Sequence, residues 1–377
     1  MSRRPRTIHG LRRHFLKGAV ATGVLSLIPP HLSFSQGTDM KVEGPFRTRD
    51  ELRASLAVTG VNALDQQMLI GLAKPGIALQ SKSAPDKDIP IGASKIGGAP
   101  DLPPGLKWPT REPTAHGKSN IEMLRKLDAE KSSEYYKREI ALKGPLADNP
   151  APLTFMIQVD LADAAATGEI DADIPREGWL LVFYDFVFRP WFGHDKNDTP
   201  LFHVLHITGD RSALERRTPP DMGYPLYDPL DEYRNMLPPA RLSPVFSYTL
   251  PDGGTLRIFA RHAAEGRYPH EEWLDQDQSP THLNGANRLG GWPENIQGDM
   301  AIELAAHDAG IELPFGSRFI AAAQALQPRA DQWVHLLQIG DYDSDVNDFD
   351  GLYHIWIKRE DLKARDFTKA RLIYRTS

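Results

Sequence analysis

The sequence contains no cysteine among its 377 residues. Disulfides, thiolate nucleophiles, iron–sulfur clusters and cysteine-based zinc sites are therefore excluded. Local catalytic signatures are missing too: there is no Gly-x-Ser-x-Gly elbow, no His-Glu-x-x-His motif and no dinucleotide-binding fingerprint. After the first 35 residues, no apolar run approaches membrane-spanning length, which takes about 20 residues. The sequence thus predicts no stable membrane anchor, and its local motifs indicate no particular reaction.

The N-terminal 35 residues have the pattern of a twin-arginine signal peptide. Arg12 and Arg13 are followed by Phe-Leu-Lys, which is the arrangement that the twin-arginine receptor recognises. A moderately apolar, uncharged stretch follows at residues 18–30, and it is too short to cross a bilayer. Small residues at Ser33 and Ser35 predict cleavage after Ser35. We therefore expect a periplasmic or secreted protein, exported by the twin-arginine route.

The mature chain is acidic. The leader holds six of the 44 Lys and Arg residues and no Asp or Glu, so 38 basic side chains face 50 acidic ones in residues 36–377. A surface of this sign repels phosphate backbones and anionic lipid head groups. We therefore expect no nucleic-acid partner.

The pattern after the leader predicts a short helical segment at residues 36–73, followed by a main domain at residues 74–377. Thr48 and Glu51 have capping-box spacing, which predicts a helix to about residue 57. A second helix is predicted at residues 62–72, before Lys74-Pro75-Gly76 stops it. Residues 111–150 are charged and helix-favouring, which predicts an inserted helical arm. Short β-branched and aromatic runs predict strands at residues 77–80, 179–184, 202–207, 256–259 and 352–357.

Three short elements occur twice, in the same order. SKIGGAP at residues 94–100 returns as NRLGGWP at 287–293, LTFMIQVD at 153–160 as WVHLLQIGD at 333–341, and GWLLVFY at 178–184 as GLYHIWI at 351–357. We interpret this as duplication of one β-rich unit. The expected fold is α+β, mostly antiparallel, with two pseudo-twofold related repeats at about residues 94–185 and 287–357 packed into one body. Chance similarity is the alternative for the Gly-Gly-x-Pro elements, since these residues punctuate most turns.

The same stretches resemble the YwqG-like proteins, a bacterial family known as domain of unknown function 1963. The resemblance covers about residues 74–374 and includes SKIGGAPDLPPGLKWP, IPREGWLLVFYD and NRLGGWPENIQGDM. Two features depart from the family pattern: the helical arm is longer, and Asp348-Phe349-Asp350-Gly351 replaces Gly-Asp-x-Gly before the last strand. The resemblance implies a fold but brings no activity, cofactor or catalytic residue, and we expect no cofactor.

Four residues of the repeated elements are candidate binding residues: Lys95, Gln158, Arg288 and Gln338. Each cation precedes a Gly-Gly pair, whose backbone amides favour anions together with the cation. Each Gln lies in an apolar strand, where a buried amide needs hydrogen bonds. A crevice between the two repeats would bring the four together around a small anionic ligand. Alternatively, the glycines form tight turns and each Gln anchors a neighbouring loop.

The remaining polar clusters predict no metal site. The acidic loop at residues 341–350 has oxygen ligands suited to calcium but fails the EF-hand pattern. His203 and His206 lie three residues apart on a predicted strand, so their side chains point to opposite faces. His262 and His270 lack further ligands at zinc spacing.

Two functional classes stay open. We expect a non-catalytic binding or interaction protein of the bacterial envelope, whose partner is another protein or a small anionic ligand, because no nucleophile or metal motif is present. The alternative is a hydrolase or other periplasmic enzyme in which Asp160 and Asp341 meet across the repeat interface as acid and base. The sequence does not decide whether the protein is an enzyme.

Overall fold

The computed structural model describes residues 45–58, 62–190, 201–222, 236–252, 255, 287–296, 298–314, 318–340 and 351–375. These ranges contain eight α helices: α1 (Arg49–Ala57), α2 (Ala63–Leu72), α3 (Ala115–Lys131), α4 (Glu134–Asp148), α5 (Leu161–Ala165), α6 (Met300–Ala309), α7 (Phe319–Ala330) and α8 (Arg359–Ala364). They also contain fourteen strands: β1 (Lys74–Ser83), β2 (Lys95–Ile96), β3 (Asp101–Leu102), β4 (Thr110–Arg111), β5 (Ala151–Pro152), β6 (Thr154–Asp160), β7 (Trp179–Tyr184), β8 (Phe202–Ile207), β9 (Glu215–Arg216), β10 (Ala240–Thr249), β11 (Arg288–Gly290), β12 (Trp333–Ile339), β13 (Leu352–Lys358) and β14 (Arg371–Arg375). The predicted leader, the strand at 256–259, His262, His270 and the acidic loop at 341–350 lie outside the described residues.

Ten strands form one antiparallel sheet in the order β14-β13-β12-β11-β1-β10-β2-β6-β7-β8. At its centre, β1 and β10 pair over ten residues, from Lys74 opposite Thr249 to Ser83 opposite Ala240. The sheet is nearly closed, since the ring of Tyr184 in β7 lies 5.2 Å from that of Tyr353 in β13, between centroids. The α+β, mostly antiparallel fold that the sequence predicts is confirmed.

The two faces of this sheet are covered differently. Its inner face carries the main hydrophobic core, to which Ile157, Val182 and Ile355 contribute. On the outer face, Trp108 packs on β6 and β7, whereas α6 packs on β12 and β13. Strands β6, β7 and β12 are buried at every residue, which explains why they read as continuous apolar runs.

The two N-terminal helices begin at the residues that the sequence indicates. Thr48 accepts from the Glu51 backbone N–H, and the Glu51 carboxylate accepts from the Thr48 N–H, which completes a capping box. Asn62 caps α2 by accepting from the Asp65 N–H at 3.0 Å. Arg49 of α1 then donates to the Ile70 carbonyl at 2.6 Å and so links the two helices. Both predicted helices are confirmed.

Residues 111–150 contain α3 and α4, which pack against each other and against Val187 and Phe188. A buried ion pair fastens this arm to the end of β7: Arg111 Nε lies 2.6 Å from Asp185 Oδ2. The Arg111 guanidinium also donates to the Leu146 carbonyl near the end of α4, at 2.8 Å. The arm is thus held by a buried ion pair. The sequence of residues 111–150 does not indicate this pair, because Asp185 lies outside that segment.

Candidate functional site

Lys95 and Gln158 face each other across β2 and β6, and both side chains are fully buried. The Lys95 ammonium donates to Asp86 Oδ1 at 2.8 Å and to a backbone carbonyl of the following turn. Gln158 Oε1 accepts from the Asp101 N–H at 2.9 Å, and Nε2 donates to the Ala93 carbonyl and the Asp101 carboxylate, each at 3.0 Å. Burial lowers the pKa of Lys95 against the opposing effect of Asp86. The pair anchors the glycine turn to β6.

Arg288 and Gln338 repeat this arrangement on β11 and β12, where they are also in register and buried. Arg288 donates to the Trp292 carbonyl at 2.6 Å, four residues ahead, as Lys95 does in its own turn. Gln338 Oε1 accepts from the Glu294 N–H at 2.9 Å. The contacts of both glutamines are those expected for loop anchoring.

The structure places the four candidate residues in two separate pairs. Arg288 is on β11 and Lys95 is on β2, and the central strands β1 and β10 lie between them. Three interstrand spacings amount to about 14 Å. The separation arises because β1 and β10, which come from segments outside the repeated motifs, pair between β11 and β2.

The first glycine turn has no spare amides for an anion. Gly97 and Gly98 donate to the carbonyls of Met156 and Leu237, both at 2.8 Å. Gly97 has φ of 65°, and a Cβ there would lie 2.1 Å from the Pro238 carbonyl oxygen. Glycine is required at this position because the backbone of a neighbouring segment passes so closely.

A cavity of about 320 Å³ opens elsewhere, between β11, β12 and β13 and the helices α6 and α7. This volume is at the lower end of the range for small-molecule sites, roughly 300 Å³ upward. None of the four candidate residues lines it. Its lining combines charged, aromatic and polar side chains: Lys74, Asp171, Asp299, Asp331, Arg359, Trp292, Trp333, Trp356, His335, Thr255, Asn295 and Gln327.

Three of the seven tryptophans of the chain line this cavity. Trp292 follows the second Gly-Gly turn and donates through Nε1 to the Leu72 carbonyl at 2.7 Å, which fixes its ring. The Lys74 ammonium lies 3.5 Å from the centroid of the Trp292 ring, in cation–π contact. Trp333 and Trp356 are buried against α6. The cavity therefore has rigid aromatic walls.

Lys74 is the cation nearest to these aromatic walls. It keeps solvent access, yet the dense protein around its ammonium removes much of the bulk water. This desolvation lowers its pKa from 10.5 to about 8, although Asp331, Asp299 and Asp171 act in the opposite direction. An appreciable fraction of Lys74 is consequently neutral at mildly alkaline pH.

A polar corner of the cavity lies at the start of α6. Asp299 caps the helix by accepting from the Ile302 N–H at 3.1 Å, and it also accepts from the Thr255 hydroxyl at 2.8 Å. Burial raises the pKa of Asp299 in spite of these hydrogen bonds. Asn295 Nδ2 donates to Asp252 at 2.7 Å, and since a carboxylate only accepts, the orientation of the Asn295 amide is fixed.

The charges at the opposite wall neutralise each other. Arg359 pairs with Asp171 at 3.0 Å and also with Asp173. Burial opposes ionisation of Asp171, but the hydrogen bonds from Arg359 and from the Asp173 backbone lower its pKa overall. Arg359 is therefore a structural cation, bound on two sides.

Residues 94–375 match the model of the family described as Domain of unknown function (DUF1963). The chain belongs to this family. The matched segment includes both glycine turns and every strand of the ten-stranded sheet except β1, so the family resemblance of the repeated motifs is confirmed. A comparison with curated proteins gives no match.

In this DUF1963 chain, two buried histidines lie beside the cavity. His354 Nδ1 is 3.4 Å from His335 Nε2. Burial lowers the pKa of His335 to about 3 and that of His354 well below 6.5, so both imidazoles are neutral. The His335 ring also interacts with the backbone of Gly290 and Gly291. Within the described ranges, Trp356 Nε1 and Asn295 Oδ1 have no hydrogen-bond partner, and both atoms are buried within the wall of the cavity.

Asp160, the described member of the predicted acid–base pair, has a structural role. It is buried at the end of β6, and Oδ1 accepts from the backbone N–H groups of Ala162 and Asp163 at the start of α5. Its other oxygen pairs with Arg211. Asp341, its predicted partner, lies outside the described residues.

The other polar clusters give no metal site within the described ranges, where no group of three or more His, Asp or Glu side chains is placed to hold a metal ion. His206 Nε2 contacts the Glu177 carbonyl at 2.9 Å, and burial lowers the pKa of His203. Over the same ranges, no helix has the length and apolar content of a membrane span.

The sequence assigns Lys74 only to the stop signal after α2, so the main cation of the cavity is not among the predicted residues. Trp292 and His335 do lie in repeated motifs, and they differ in type from Ala99 and Phe155 at the corresponding positions. That difference between the corresponding motifs is a sequence signal that could have indicated the cavity walls.

Proposed function

We propose that this protein is an exported, non-catalytic binding protein of the bacterial envelope that holds a small molecule in the cavity lined by Lys74, Trp292, Trp333 and Trp356. The observation that carries the proposal is the cavity of about 320 Å³ itself, in which the Lys74 ammonium lies 3.5 Å from the centroid of the Trp292 ring. Aromatic walls with a few charged and polar groups are the usual lining of a small-molecule site.

We further propose that the domain arose by duplication, and that the binding cavity belongs to its second half. The parallel is supported by matching hydrogen bonds around Lys95 and Arg288 and by a bulge at the same point of β6 and β12. Beside each bulge, a cross-strand pair faces outward. It is Phe155 with Phe183 in the first half and His335 with Trp356 in the second.

The first copy of this surface is closed. Trp108 packs edge-on against Phe183, with centroids 5.4 Å apart, and donates to the Leu153 carbonyl at 2.9 Å. The second copy instead carries polar rings next to open space. The polar residues of the second surface support a binding role for it, because small-molecule sites combine apolar walls with a few polar groups, whereas the first surface is filled by Trp108.

The contacts of Asp160 favour binding over the hydrolase alternative. Both Asp160 oxygens already accept hydrogen bonds, from the start of α5 and from Arg211, and the side chain is buried. Neither oxygen is left for a substrate, so the cavity rather than the end of β6 is the better candidate for function.

Thermal unfolding of the purified protein with a panel of small metabolites tests the binding proposal. A ligand present at 100 times its Kd stabilises the folded state by about 2.7 kcal/mol. We expect a stabilising ligand whose effect is lost in Lys74→Gln and in Ala301→Phe, which fills the cavity from α6. Lys82→Gln on the same strand and Ala309→Phe on the same helix are matched controls outside the cavity.

A ligand that stabilises both cavity variants as strongly as the wild type would place binding elsewhere. Absence of any stabilising compound in a panel that spans acids, amines, sugars and carbonyl compounds would count against a small-molecule role.

The export proposal rests on Arg12 and Arg13 and has its own test. Fractionation of cells expressing the wild type and the Arg12→Lys/Arg13→Lys double variant should show only the wild type in the periplasm. Because lysine keeps the charge, equal export of the two proteins would contradict twin-arginine recognition.

A further inference from the structure

Lys74 differs from Arg359, the other cation of the cavity lining, in having no ion pair within the described residues. Arg359 is bound by two carboxylates, and Asp299 caps α6. Within the described part of the chain, the Lys74 ammonium forms no ion pair or side-chain hydrogen bond, and its contact is the face of Trp292 at 3.5 Å. The cavity lining therefore includes a primary amine whose nitrogen, once deprotonated, is available as a nucleophile.

The charge of the lining restricts what can approach this amine. Three carboxylates, Asp171, Asp299 and Asp331, line the cavity against two cations, Lys74 and Arg359. An anionic ligand at Lys74 is repelled by the carboxylates, and a cationic ligand is repelled by the Lys74 ammonium. A neutral carbonyl compound is repelled by neither, and a carbonyl is the group with which a neutral amine reacts.

We propose that Lys74 captures a small aldehyde or ketone in this cavity as a reversible imine. The inference rests on the proposed binding role of the cavity and names the ligand class. The bound ligand is then attached covalently to Lys74, and no catalytic turnover is required.

The chemistry closes without a co-reactant. The ammonium first loses a proton to solvent, and the Nζ lone pair then attacks the carbonyl carbon while the carbonyl π electrons move to oxygen. A proton passes from nitrogen to that oxygen, which gives a carbinolamine. After the hydroxyl takes a proton from solvent it leaves as water, and the nitrogen lone pair forms the C=N bond of an iminium ion, which returns its N–H proton to solvent to give the imine.

The surroundings of Lys74 favour each stage. Its pKa of about 8 supplies more neutral amine than an ordinary lysine has, by about two orders of magnitude at neutral pH. The Trp292 ring covers one side of the Lys74 ammonium at 3.5 Å and so shields that side of the imine from water.

Reductive trapping tests this proposal. The purified protein is incubated with benzaldehyde and sodium cyanoborohydride, and benzylated lysines are quantified by peptide mass spectrometry over a range of pH. We expect Lys74 to be labelled at least ~10-fold faster than Lys82 at neutral pH, with half-maximal labelling near pH 8. Ala301→Phe should suppress labelling of Lys74 and leave that of Lys82 unchanged.

Lys74→Arg keeps the charge and removes the amine. Circular dichroism should show that this variant is folded, and mass spectrometry should show no fast-labelled lysine. Equal labelling of Lys74 and Lys82, or labelling of Lys74 that is unchanged in urea or in Ala301→Phe, would overturn the imine. If a non-carbonyl ligand still stabilises the protein through Lys74, the binding proposal survives while the imine fails.

Discussion

Replacement of Gln158 by methionine tests the loop-anchoring role of the buried glutamines. The unbranched side chain keeps the packing nearly constant, but it removes the amide that bonds to the Asp101 N–H and the Ala93 carbonyl. The Asp101 carboxylate stays satisfied by the Gly92 N–H at 2.8 Å and by Arg216 at 3.0 Å. Two backbone groups are therefore orphaned in a site from which water is excluded.

Each orphaned group costs about 1–3 kcal/mol, and the cost is partly offset because the amide itself is no longer buried. We expect the free energy of unfolding to fall by about 3 kcal/mol. The assay is urea unfolding followed by tryptophan fluorescence and circular dichroism. Ile157→Val in the same strand is the control, with an expected loss of about 1 kcal/mol.

Hydrogen exchange gives a local measure of the same effect. The Asp101 amide should exchange much faster in Gln158→Met, whereas amides in β12 should keep their protection. A loss of stability no greater than that of Ile157→Val, with an unchanged Asp101 amide, would refute the role of the glutamine as an anchor of the turn.

Three further changes have defined outcomes. Gly97→Ala should destabilise the protein by at least ~2 kcal/mol more than Gly105→Ala in urea unfolding, because both have positive φ but only Gly97 faces a backbone oxygen at 2.1 Å. Asp185→Asn should cost about 3 kcal/mol by the same assay, because it leaves the buried guanidinium of Arg111 without its counter-charge; a loss under ~1 kcal/mol would contradict this. Stability should fall with acidification below about pH 6.5, since burial lowers the pKa of His335 to about 3 and that of His354 well below 6.5 in the folded state, whereas both bind protons near pH 6.5 when unfolded. Each histidine contributes up to roughly 1 kcal/mol per pH unit, so His335→Phe should reduce the difference between urea unfolding at pH 5 and at pH 7.

Local features were predictable from the sequence where the interaction is local. The capping box of Thr48 and Glu51 joins residues three apart, so sequence spacing alone predicts the start of α1. The repeated motifs likewise predict strands in both halves, because strand type depends on short apolar runs. Their pairing of Lys95 with Gln158 and of Arg288 with Gln338 follows from antiparallel register, which short motifs do not contain.

The sequence by itself determined the antiparallel α+β class, the helix starts and the two glycine turns, since each depends on neighbouring residues. Only the tertiary structure decided where the cavity lies. Pairing of β1 with β11 brings Lys74 within 3.5 Å of the Trp292 ring, across more than 200 residues of chain. Together with the pairing of β1 with β10 and of β10 with β2, it places β1 and β10 between Lys95 and Arg288. Strand order is set by the packing of the whole sheet. The cavity therefore lies on the outer face beside β12 and β13, and not at the predicted axis between the repeats.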